Sequence, residues 1–415
     1  MPKLRIPFGQ SVLTTHIDQR RFAAILAPTR SRLQPRDRLV SEALRRPIRS
    51  PRLQEIAQPG QKVTILTSDL TRPCPSARLL PPVLKELEAA GTEPADVTVV
   101  IALGLHRPMS TSELTTAVGE EITSRIQVIN HDVDQTVRVG VTSANTPVDV
   151  LRNVVEADLR ICLGNIDLHW FAGFSGGSKA LFPGCAGEAS VAANHSMMTT
   201  PGASAGRLKG NPVRSDLEEA ASLVGIDFIL NVIVDGEHHI MGAVAGDAVA
   251  AHRQGAQQAA RRSVVPLPKA ADVVLVSAGG YPKDINLYQA QKALDNARHA
   301  VRPGGIIILV AECREGFGNA TFEQWMREAA SPAACLHRIQ QEFVLGGHKA
   351  AGVARVMQEA QVYLVSALSP TAVEQCGLTP FPTVDDALAT AFGTLGPAAR
   401  VVVMPQGGST LPSVR

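Results

Sequence analysis

The sequence predicts an α/β fold of two domains, each with a mainly parallel β-sheet flanked by helices. Short buried strands alternate with helices along the chain, which is typical of parallel sheets. The 415 residues exceed what a single hydrophobic core normally supports. A hydrophobic share of 45% with 19% charged residues fits a folded chain and not a disordered one. We place the domains at residues 1–265 and 266–415.

Composition and charge argue against several classes of protein. The net charge of +2 gives no general reason to expect a nucleic-acid partner, and aromatic residues at 4% are too few for stacking platforms. None of the six cysteines is paired at close spacing, which favours a reducing cytoplasm. The first ten residues lack the apolar run of a signal peptide, and no segment has about twenty uninterrupted apolar residues, so we expect no membrane partner.

The first informative strand is at residues 63–66, a short β-branched run. It follows an Arg- and Pro-rich segment, 11–60, in which a helix is expected to stop near Pro47. The strand leads into the polar stretch 68–73, which cannot continue a central strand past Pro73, and a helix is expected at 76–91. Polar residues at the carboxyl end of such a strand lie where α/β folds bind ligands, although a local Asp69–Arg72 salt bridge explains them equally well.

The next unit repeats this plan at residues 97–110, where a strand is followed by Gly104 and then His106. Ser110 and Glu113 have capping-box spacing, so a helix should start there. Further strands are expected at 125–130 and 158–166, with a looser stretch between them.

The stretch 169–195 carries three chemically capable side chains, His169, Lys179 and His195. Between the first two lies a run of glycine and serine, which can present backbone N–H groups to an anion. The pattern indicates a site that holds an anionic ligand and a metal together, although each residue alone is equally compatible with a plain turn or a structural histidine. It is not a phosphate loop of the nucleotide-triphosphatase type, because Lys179 follows Ser178 and Ala180 offers no hydroxyl for magnesium.

The remaining strands complete the two sheets. A strand at 225–235 is expected to end the first domain's core, and an Ala-rich helix at 245–265 is expected to connect the domains. In the second domain a strand, a Gly-Gly loop and a helix occupy 271–297. Gln289 and Lys292 share one face of that helix because they are three residues apart. Further strands are expected at 304–316, 361–368 and 399–408.

Four motifs occur together in one order along the chain. They are DLTRP (69–73), GLHRP (104–108), HWFAGFSGGSKALFPG (169–184) followed by Asn194 and His195, and GGYPKDINLYQAQKAL (279–294). This combination resembles the lactate racemase family over nearly the whole chain. The resemblance implies a cytoplasmic racemase of a lactate-like 2-hydroxy acid. It also implies a nickel-pincer nucleotide cofactor, a nickel-bearing pyridinium-3,5-bisthiocarboxylic acid mononucleotide, which other proteins assemble.

The resemblance also implies a role for each matched residue, with the active site in the cleft between the two domains. His106 and His169 would be the catalytic acid–base residues, Lys179 the covalent attachment point of the cofactor, and His195 the nickel ligand. Asp69, Leu70, Thr71 and Arg72 would contact the cofactor, and Tyr288, Gln289, Lys292 and Arg72 would bind substrate. Leu168 and Ser178 depart from the family's usual proline and arginine, which puts the substrate in doubt more than the chemistry.

The chemistry of a 2-hydroxy acid explains why such residues are needed. A carbanion beside a carboxylate is disfavoured, whereas loss of hydride with the hydroxyl proton gives a neutral 2-keto group. Imidazole suits that proton transfer because its ordinary pKa is about 6.5, and the two histidines would serve opposite enantiomers.

Three other functions remain open. The first is a racemase or epimerase of malate, a longer aliphatic acid or a sugar acid. The second is a zinc hydrolase that uses His106, His169 and His195, and the third is a non-catalytic protein that binds the cofactor. The roles of His131 and of residues 312–316, and the oligomeric state, are not indicated.

Overall fold

The computed structural model describes residues 3–29, 38–235 and 237–414, which form two compact units. One unit is continuous in sequence and consists of Ser31–Arg261, and the other is split and joins Met1–Arg30 to Arg262–Arg415. We call them the continuous unit and the split unit.

Within the described residues the strands are β1 (Lys3–Phe8), β2 (Ser11–His16), β3 (Phe22–Ile25), β4 (Val63–Ser68), β5 (Val97–Ala102), β6 (Gln127–Asn130), β7 (Thr136–Val141), β8 (Pro147–Leu151), β9 (Leu159–Asn165), β10 (Leu168–His169), β11 (Gly173–Phe174), β12 (Phe228–Val234), β13 (Ile240–Gly246), β14 (Val264–Leu267), β15 (Ala271–Ser277), β16 (Val301–Val310), β17 (Ala360–Val365), β18 (Thr379–Phe381), β19 (Val401–Met404) and β20 (Leu411–Val414). The α-helices are α1 (Leu39–Arg45), α2 (Leu53–Ile56), α3 (Ser76–Ala89), α4 (Thr111–Val118), α5 (Glu120–Arg125), α6 (Arg152–Val155), α7 (Glu188–Ser196), α8 (Pro212–Val224), α9 (Ala248–Ser263), α10 (Leu287–Ala297), α11 (Ala320–Glu328), α12 (Pro332–Gln341), α13 (Gly347–Glu359), α14 (Pro370–Glu374) and α15 (Val384–Leu395).

The continuous unit is built on a sheet with the order β13-β12-β9-β4-β5-β6. Its neighbouring strands are parallel except for the antiparallel pair β12 and β13. Apolar side chains of β4, β5, β9 and β12 are buried against helices such as α3 in one hydrophobic core. The predicted mainly parallel sheet flanked by helices is confirmed. Its strands are buried on both faces, which is why they carry continuous β-branched runs.

Local signals in the sequence correctly predict where several elements begin. Helix α4 starts after Ser110, whose side chain accepts a hydrogen bond from the Glu113 N–H at 3.3 Å. The Glu113 carboxylate accepts one from the Ser110 N–H at 2.8 Å. The capping box therefore forms as predicted, and it fixes the direction in which the chain leaves the loop that carries His106.

Two features of the continuous unit differ from the prediction. The stretch between β6 and β9 contains an antiparallel hairpin, β7 with β8, and β13 follows β12 at the sheet edge. The strand predicted at 225–235 is therefore not the last of this core. Arg138 and Gly140 interrupt the β-branched residues of β7, Asp149 interrupts those of β8, and β13 is rich in glycine and alanine. None of these strands therefore shows a continuous β-branched run.

The split unit is built on a wholly parallel sheet with the order β18-β17-β16-β15-β19-β3. Residues 3–29 thus belong with the C-terminal part of the chain, and not with the N-terminal domain predicted at residues 1–265. Strand β3 pairs with β19, and Ile6 and Ile17 lie in the same core as the central strands. The sequence does not reveal this because strand pairing over nearly 380 residues leaves no local pattern.

Helix α9 spans the point where the continuous unit gives way to the split unit, which agrees with its predicted role as the connection. The six cysteines are unpaired. No helix among the described residues is long and apolar enough to cross a membrane.

Candidate active site

Two polar segments of the continuous unit meet where the adjacent parallel strands β4 and β5 end. Asp69 directly follows β4, and His106 lies four residues beyond β5. The Nδ1 atom of His106 lies 2.6 Å from the Asp69 Oδ2 atom. Because a carboxylate can only accept, Nδ1 carries the proton and the lone pair of the neutral ring is at Nε2. His106 is therefore oriented as a base.

Asp69 is held ionised by its surroundings. Its carboxylate is 6% exposed, and burial by itself raises its pKa. Hydrogen bonds from His106 and Thr71 and the positive charge of Arg72 outweigh burial, so the pKa of Asp69 lies below its ordinary value. The second oxygen, Oδ1, accepts hydrogen bonds from the backbone N–H and hydroxyl of Thr71 at 2.9 and 2.5 Å. The side chain paired with the Asp69 carboxylate is thus His106, and Arg72 acts on that carboxylate through its positive charge.

The glycine-rich stretch folds into a tight loop between β10 and a 3₁₀ turn at Gly177–Ala180. Gly177 has φ of +63°, and a Cβ atom there would lie 2.8 Å from the ring of His252. A Cβ on Gly176, where φ is +75°, would lie 2.7 Å from the Asn231 Oδ1 atom. Both positions therefore require glycine, for conformation and for space.

The ring of Phe171 brings together the three side chains that the sequence singled out in this stretch. Its centroid lies 4.6 Å from that of His169 and 4.9 Å from that of His195, both in edge-to-face contact. The Lys179 Nζ atom lies 6.0 Å from the same centroid. Phe171 is 2% exposed, so its ring is held in place by packing and contacts all three side chains from a fixed position. Nothing in the sequence marked this phenylalanine out from other apolar residues.

Lys179 is held in a form that favours nucleophilic chemistry. Burial is the main cause of a pKa well below the ordinary value of 10.5, and the positive charges of Arg214 and Arg72 lower it further. A neutral amine can attack a carbonyl or thioacid, whereas an ammonium cannot. A neutral Lys179 is what the covalent attachment implied by the resemblance would need.

His195, near the end of α7, is oriented by a neighbour on the same helix. Its Nδ1 lies 3.1 Å from the Oδ1 of Asn194, which fixes the proton at Nδ1 and the lone pair at Nε2. The Asn194 amide is itself held by the Asp216 carboxylate at 2.7 Å. Such an outer partner is what metal-ligating histidines normally have. No three His, Cys, Asp or Glu side chains of the described residues are grouped so that they could hold a metal by themselves.

A second group of predicted residues lies on α10 of the split unit. The Asn286 side chain caps this helix by accepting a hydrogen bond from the Gln289 N–H at 3.0 Å. The Lys292 Nζ atom donates to the Gln289 Oε1 atom at 3.0 Å, so the predicted shared face is confirmed. Tyr288 packs edge-on against Phe322, with ring centroids 5.6 Å apart.

Comparison with known proteins identifies the family. The family model described as the lactate racemase N-terminal domain matches residues 8–206, and that of the lactate racemase C-terminal domain matches residues 267–411. The lactate racemase of Thermoanaerobacterium thermosaccharolyticum is 32% identical over 424 residues, covering 99% of each chain. That of Lactiplantibacillus plantarum is 32% identical over 420 residues, covering 98% of this chain and 99% of the relative. This chain belongs to the lactate racemase family.

Solved structures agree with that assignment. The lactate racemase apoprotein from Thermoanaerobacterium thermosaccharolyticum superposes with a TM-score of 0.92 at 32% identity, covering 99% of this chain and 100% of the other. A Thermotoga maritima protein shares the fold alone, with a TM-score of 0.64 at 18% identity, covering 88% of this chain and 96% of its own. As a family member the chain is an enzyme of the isomerase class, a racemase.

Buried polar side chains from other elements hold the backbone of the glycine-rich loop, residues 171–177, by hydrogen bonds. Asn211 Nδ2 donates to the Phe171 carbonyl at 2.8 Å, and Arg214 donates to the carbonyls of Ala172, at 3.2 Å, and Phe174. His252 Nε2 lies 2.9 Å from the Ser175 carbonyl, and Asn231 Oδ1 accepts from the Gly177 N–H at 2.6 Å. The sequence does not mark these residues out, since their partners are distant in the chain.

Proposed function

We propose that the protein racemises lactate or a closely related 2-hydroxy acid, with a nickel-pincer nucleotide as cofactor. The observation that carries the proposal is the grouping of Lys179, His169 and His195 around Phe171, in a chain 32% identical over its length to two lactate racemases. A racemase of malate, a longer aliphatic acid or a sugar acid is the second candidate, because Leu168 and Ser178 depart from the family pattern.

The chemistry of the donor set fits this cofactor. Lys179 is kept neutral by burial and by nearby cations, as formation of a thioamide with one sulfur arm requires. His195 has its lone pair at Nε2, as a nickel ligand requires, and nickel accepts imidazole alongside sulfur. A single protein ligand suffices because the cofactor brings the remaining donors itself. Asp69, Leu70, Thr71 and Arg72 would contact the rest of the cofactor.

When bound, the cofactor supplies an electrophilic ring carbon that can accept a hydride, and the chain's own residues handle the proton and the charge. The Nε2 atom of His106 takes the hydroxyl proton of the substrate as the C–H bond at C2 breaks, which yields a 2-keto acid. Asp69 stabilises the imidazolium that results. His169 acts as the second catalytic residue at the substrate oxygen.

Cationic and amide groups would bind the substrate carboxylate. Arg72 and Lys292 offer positive charge, and Gln289, already hydrogen-bonded to Lys292, offers its amide. Tyr288 would shape the pocket on the same helix. Excluding water around these groups would protect the keto acid while it exists.

The test uses protein produced together with the enzymes that assemble the cofactor. Racemisation of L- and D-lactate, malate and longer 2-hydroxy acids is followed by chiral chromatography, with nickel content and visible absorption measured on the same sample. Retention of deuterium from C2 in the product during single turnovers supports hydride transfer. Complete loss of that deuterium to water from the first turnover would refute it.

Intact mass tests the covalent attachment separately. Lys179→Ala should abolish the mass increase of the loaded protein, whereas Lys209→Ala, which changes an exposed lysine of the same unit, should keep it. A zinc hydrolase predicts zinc, no chromophore and no adduct in any variant, and a carrier protein predicts the adduct without loss of stereochemistry.

A further inference from the structure

A series of buried hydrogen bonds leads from His195 to the hairpin of β7 and β8. The Asn194 side chain contacts the His195 Nδ1 atom, and its amide nitrogen donates to the Asp216 Oδ2 atom on α8. The Asp216 Oδ1 atom accepts from the hydroxyl of Thr142, the residue that follows β7, at 2.5 Å. The Thr142 hydroxyl oxygen itself accepts from the Thr146 N–H at 3.1 Å, so its single proton is left for Asp216.

These contacts decide which way the Asn194 amide faces. Its Nδ2 atom lies 2.7 Å from Asp216 Oδ2 and 3.2 Å from the carbonyl oxygen of Val213. A carbonyl oxygen can only accept, so the group on that side is the NH₂, which has two protons for these two acceptors. Asn194 Oδ1 therefore faces His195, and the ring carries its proton on Nδ1 and its lone pair on Nε2.

The burial of this series shows that its polar groups are not there merely to fill space. Asn194 is fully buried, and Asp216 and Thr142 are 3% and 4% exposed. Burying polar groups costs free energy unless each is hydrogen-bonded, and here both oxygens of Asp216 accept. An apolar residue at position 216 would fill the same space without that cost. The carboxylate is therefore explained by the groups that it orients.

The same hairpin also holds the start of α7, the helix that carries His195. The Gly187 N–H donates to the Asp149 carbonyl at 2.9 Å, and the Asp149 N–H donates to the Ser190 Oγ atom at 2.9 Å. Ser190 is in the first turn of α7 and Asn194 is in the last. The hairpin thus locates both the backbone of this helix and, through Asn194, the ring of His195.

We propose that Asp216 and Thr142 are positioning residues for the metal ligand, which act through Asn194 to hold His195 in the form that binds nickel. This rests on the proposed function, in which His195 is the nickel ligand. A ring held in one tautomer and one orientation binds a metal without first rearranging, and a hydrogen bond at Nδ1 strengthens Nε2 as a donor. Loss of such an outer partner should weaken metal binding by about 10- to 100-fold.

Nitrogen NMR of the cofactor-free full chain tests the tautomer without metal. The protein is labelled with ¹⁵N-histidine and recorded at about pH 8, where an ordinary imidazole is neutral. Comparison with His195→Gln assigns the signals. We expect a protonated Nδ1 and a bare Nε2 in the wild type, and a mixture of tautomers in Asp216→Ala. A wild-type His195 with its proton on Nε2 would overturn the proposal, whatever the variants do.

Nickel retention tests the role in the loaded enzyme. Protein made together with the enzymes that assemble the cofactor is incubated with a chelator, and the remaining nickel and visible absorption are followed over time. His195→Gln defines the behaviour when the ligand is lost. Asp216→Ala should lose nickel about 10- to 100-fold faster than the wild type. Thr142→Val should lie between Asp216→Ala and the wild type, because it removes only the hydroxyl that holds Asp216.

Glu219→Ala is the matched control. Glu219 lies three residues after Asp216 on α8, and its carboxylate accepts from the backbone N–H and hydroxyl of Ser143 in the same hairpin, at 2.7 and 2.6 Å. Glu219 thus joins the same two elements, but no hydrogen bond among the described residues joins it to Asn194. Nickel retention and the His195 tautomer should therefore be those of the wild type. Circular dichroism checks that each variant folds.

A folded Asp216→Ala protein that keeps nickel as long as Glu219→Ala does would contradict the proposal, because Asp216 would then serve only the stability of the fold. If Asp216→Ala does not fold, Thr142→Val decides by the same comparison. If the loaded wild-type protein racemises nothing, the proposed function fails instead, and the NMR result still decides how His195 is held.

Discussion

At the scale of single residues, the state of each reactive group is set by a few neighbours. The Asp69 carboxylate holds the proton of His106 on Nδ1, and the Asn194 side chain does the same for His195. The Ala172 N–H donates to the Nδ1 atom of His169. The sequence motifs indicate which side chains matter. They cannot indicate protonation, because these partners are set by backbone geometry. The Asp69–His106 contact joins two residues that are 37 positions apart in the chain, each just beyond the end of a strand.

Replacing Asp69 with asparagine should lower kcat by about 10²- to 10⁴-fold, because the amide neither holds the His106 tautomer nor stabilises its charged form. The measurement is steady-state racemisation, normalised to cofactor content. Asp132→Asn, which alters an exposed carboxylate in a local turn, is the control and should be close to wild type. Equal activity of Asp69→Asn and Asp132→Asn would show that the pair does not serve catalysis.

Lys179 should react with amine-directed reagents at a lower pH than other lysines do. Its pKa lies well below the ordinary value, so it is deprotonated at a pH where an ordinary lysine remains charged. Labelling of the cofactor-free protein is followed by peptide mass spectrometry across pH, with Lys209 as the internal reference. Arg214→Gln should move the Lys179 profile to higher pH, because Arg214 contributes positive charge there. Identical pH profiles for both lysines would contradict this.

At the scale of elements, the loop between β10 and α7 is positioned by surrounding structure more than by its own sequence. Glycine at 176 and 177 allows the turn, and α8, α9 and β12 hold its backbone. The sequence predicts the glycine-rich loop and its reactive residues. It does not predict the buried side chains that hold the loop backbone, because a buried asparagine or arginine on a helix looks like any polar residue until its distant partner is known.

Gly177→Ala should destabilise the protein by roughly 1–3 kcal/mol, because a side chain at this φ is strained and its Cβ would meet the ring of His252. Gly393→Ala is the matched control. Gly393 lies in α15 with open space around it, so alanine there should be neutral or stabilising by up to about 1 kcal/mol. Urea unfolding of the two variants gives the comparison. A Gly177→Ala protein as stable as wild type would mean that the loop is not constrained at this point.

At the scale of the whole molecule, the two parallel sheets were predictable because their strands carry continuous β-branched runs. The inclusion of residues 3–29 in the split unit was not predictable, since β3 pairs with β19 across almost the whole chain. The continuous unit depends on buried polar groups as well as on its apolar core. Fully buried Asn211 and Arg214 donate hydrogen bonds to backbone carbonyls, and the Arg214 guanidinium also lies 3.7 Å from the Glu218 carboxylate.

This use of buried polar groups gives the fold a dependence on acid. His131, His169, His252 and His299 have pKa values below the ordinary 6.5, in each case chiefly because burial penalises the charged ring, and for His299 the pKa is about 4. In the unfolded chain these rings become charged as pH falls through about 6.5. Between their folded and unfolded pKa values the unfolded state therefore binds more protons, and stability must fall with decreasing pH.

Thermal unfolding of the cofactor-free protein from about pH 7.5 to pH 5 should show a decreasing Tm that begins near the ordinary histidine pKa. His299→Gln should reduce the slope, and His337→Gln, which replaces an exposed histidine, should leave it unchanged. A Tm that is flat over this range would mean that the buried rings accept protons without cost.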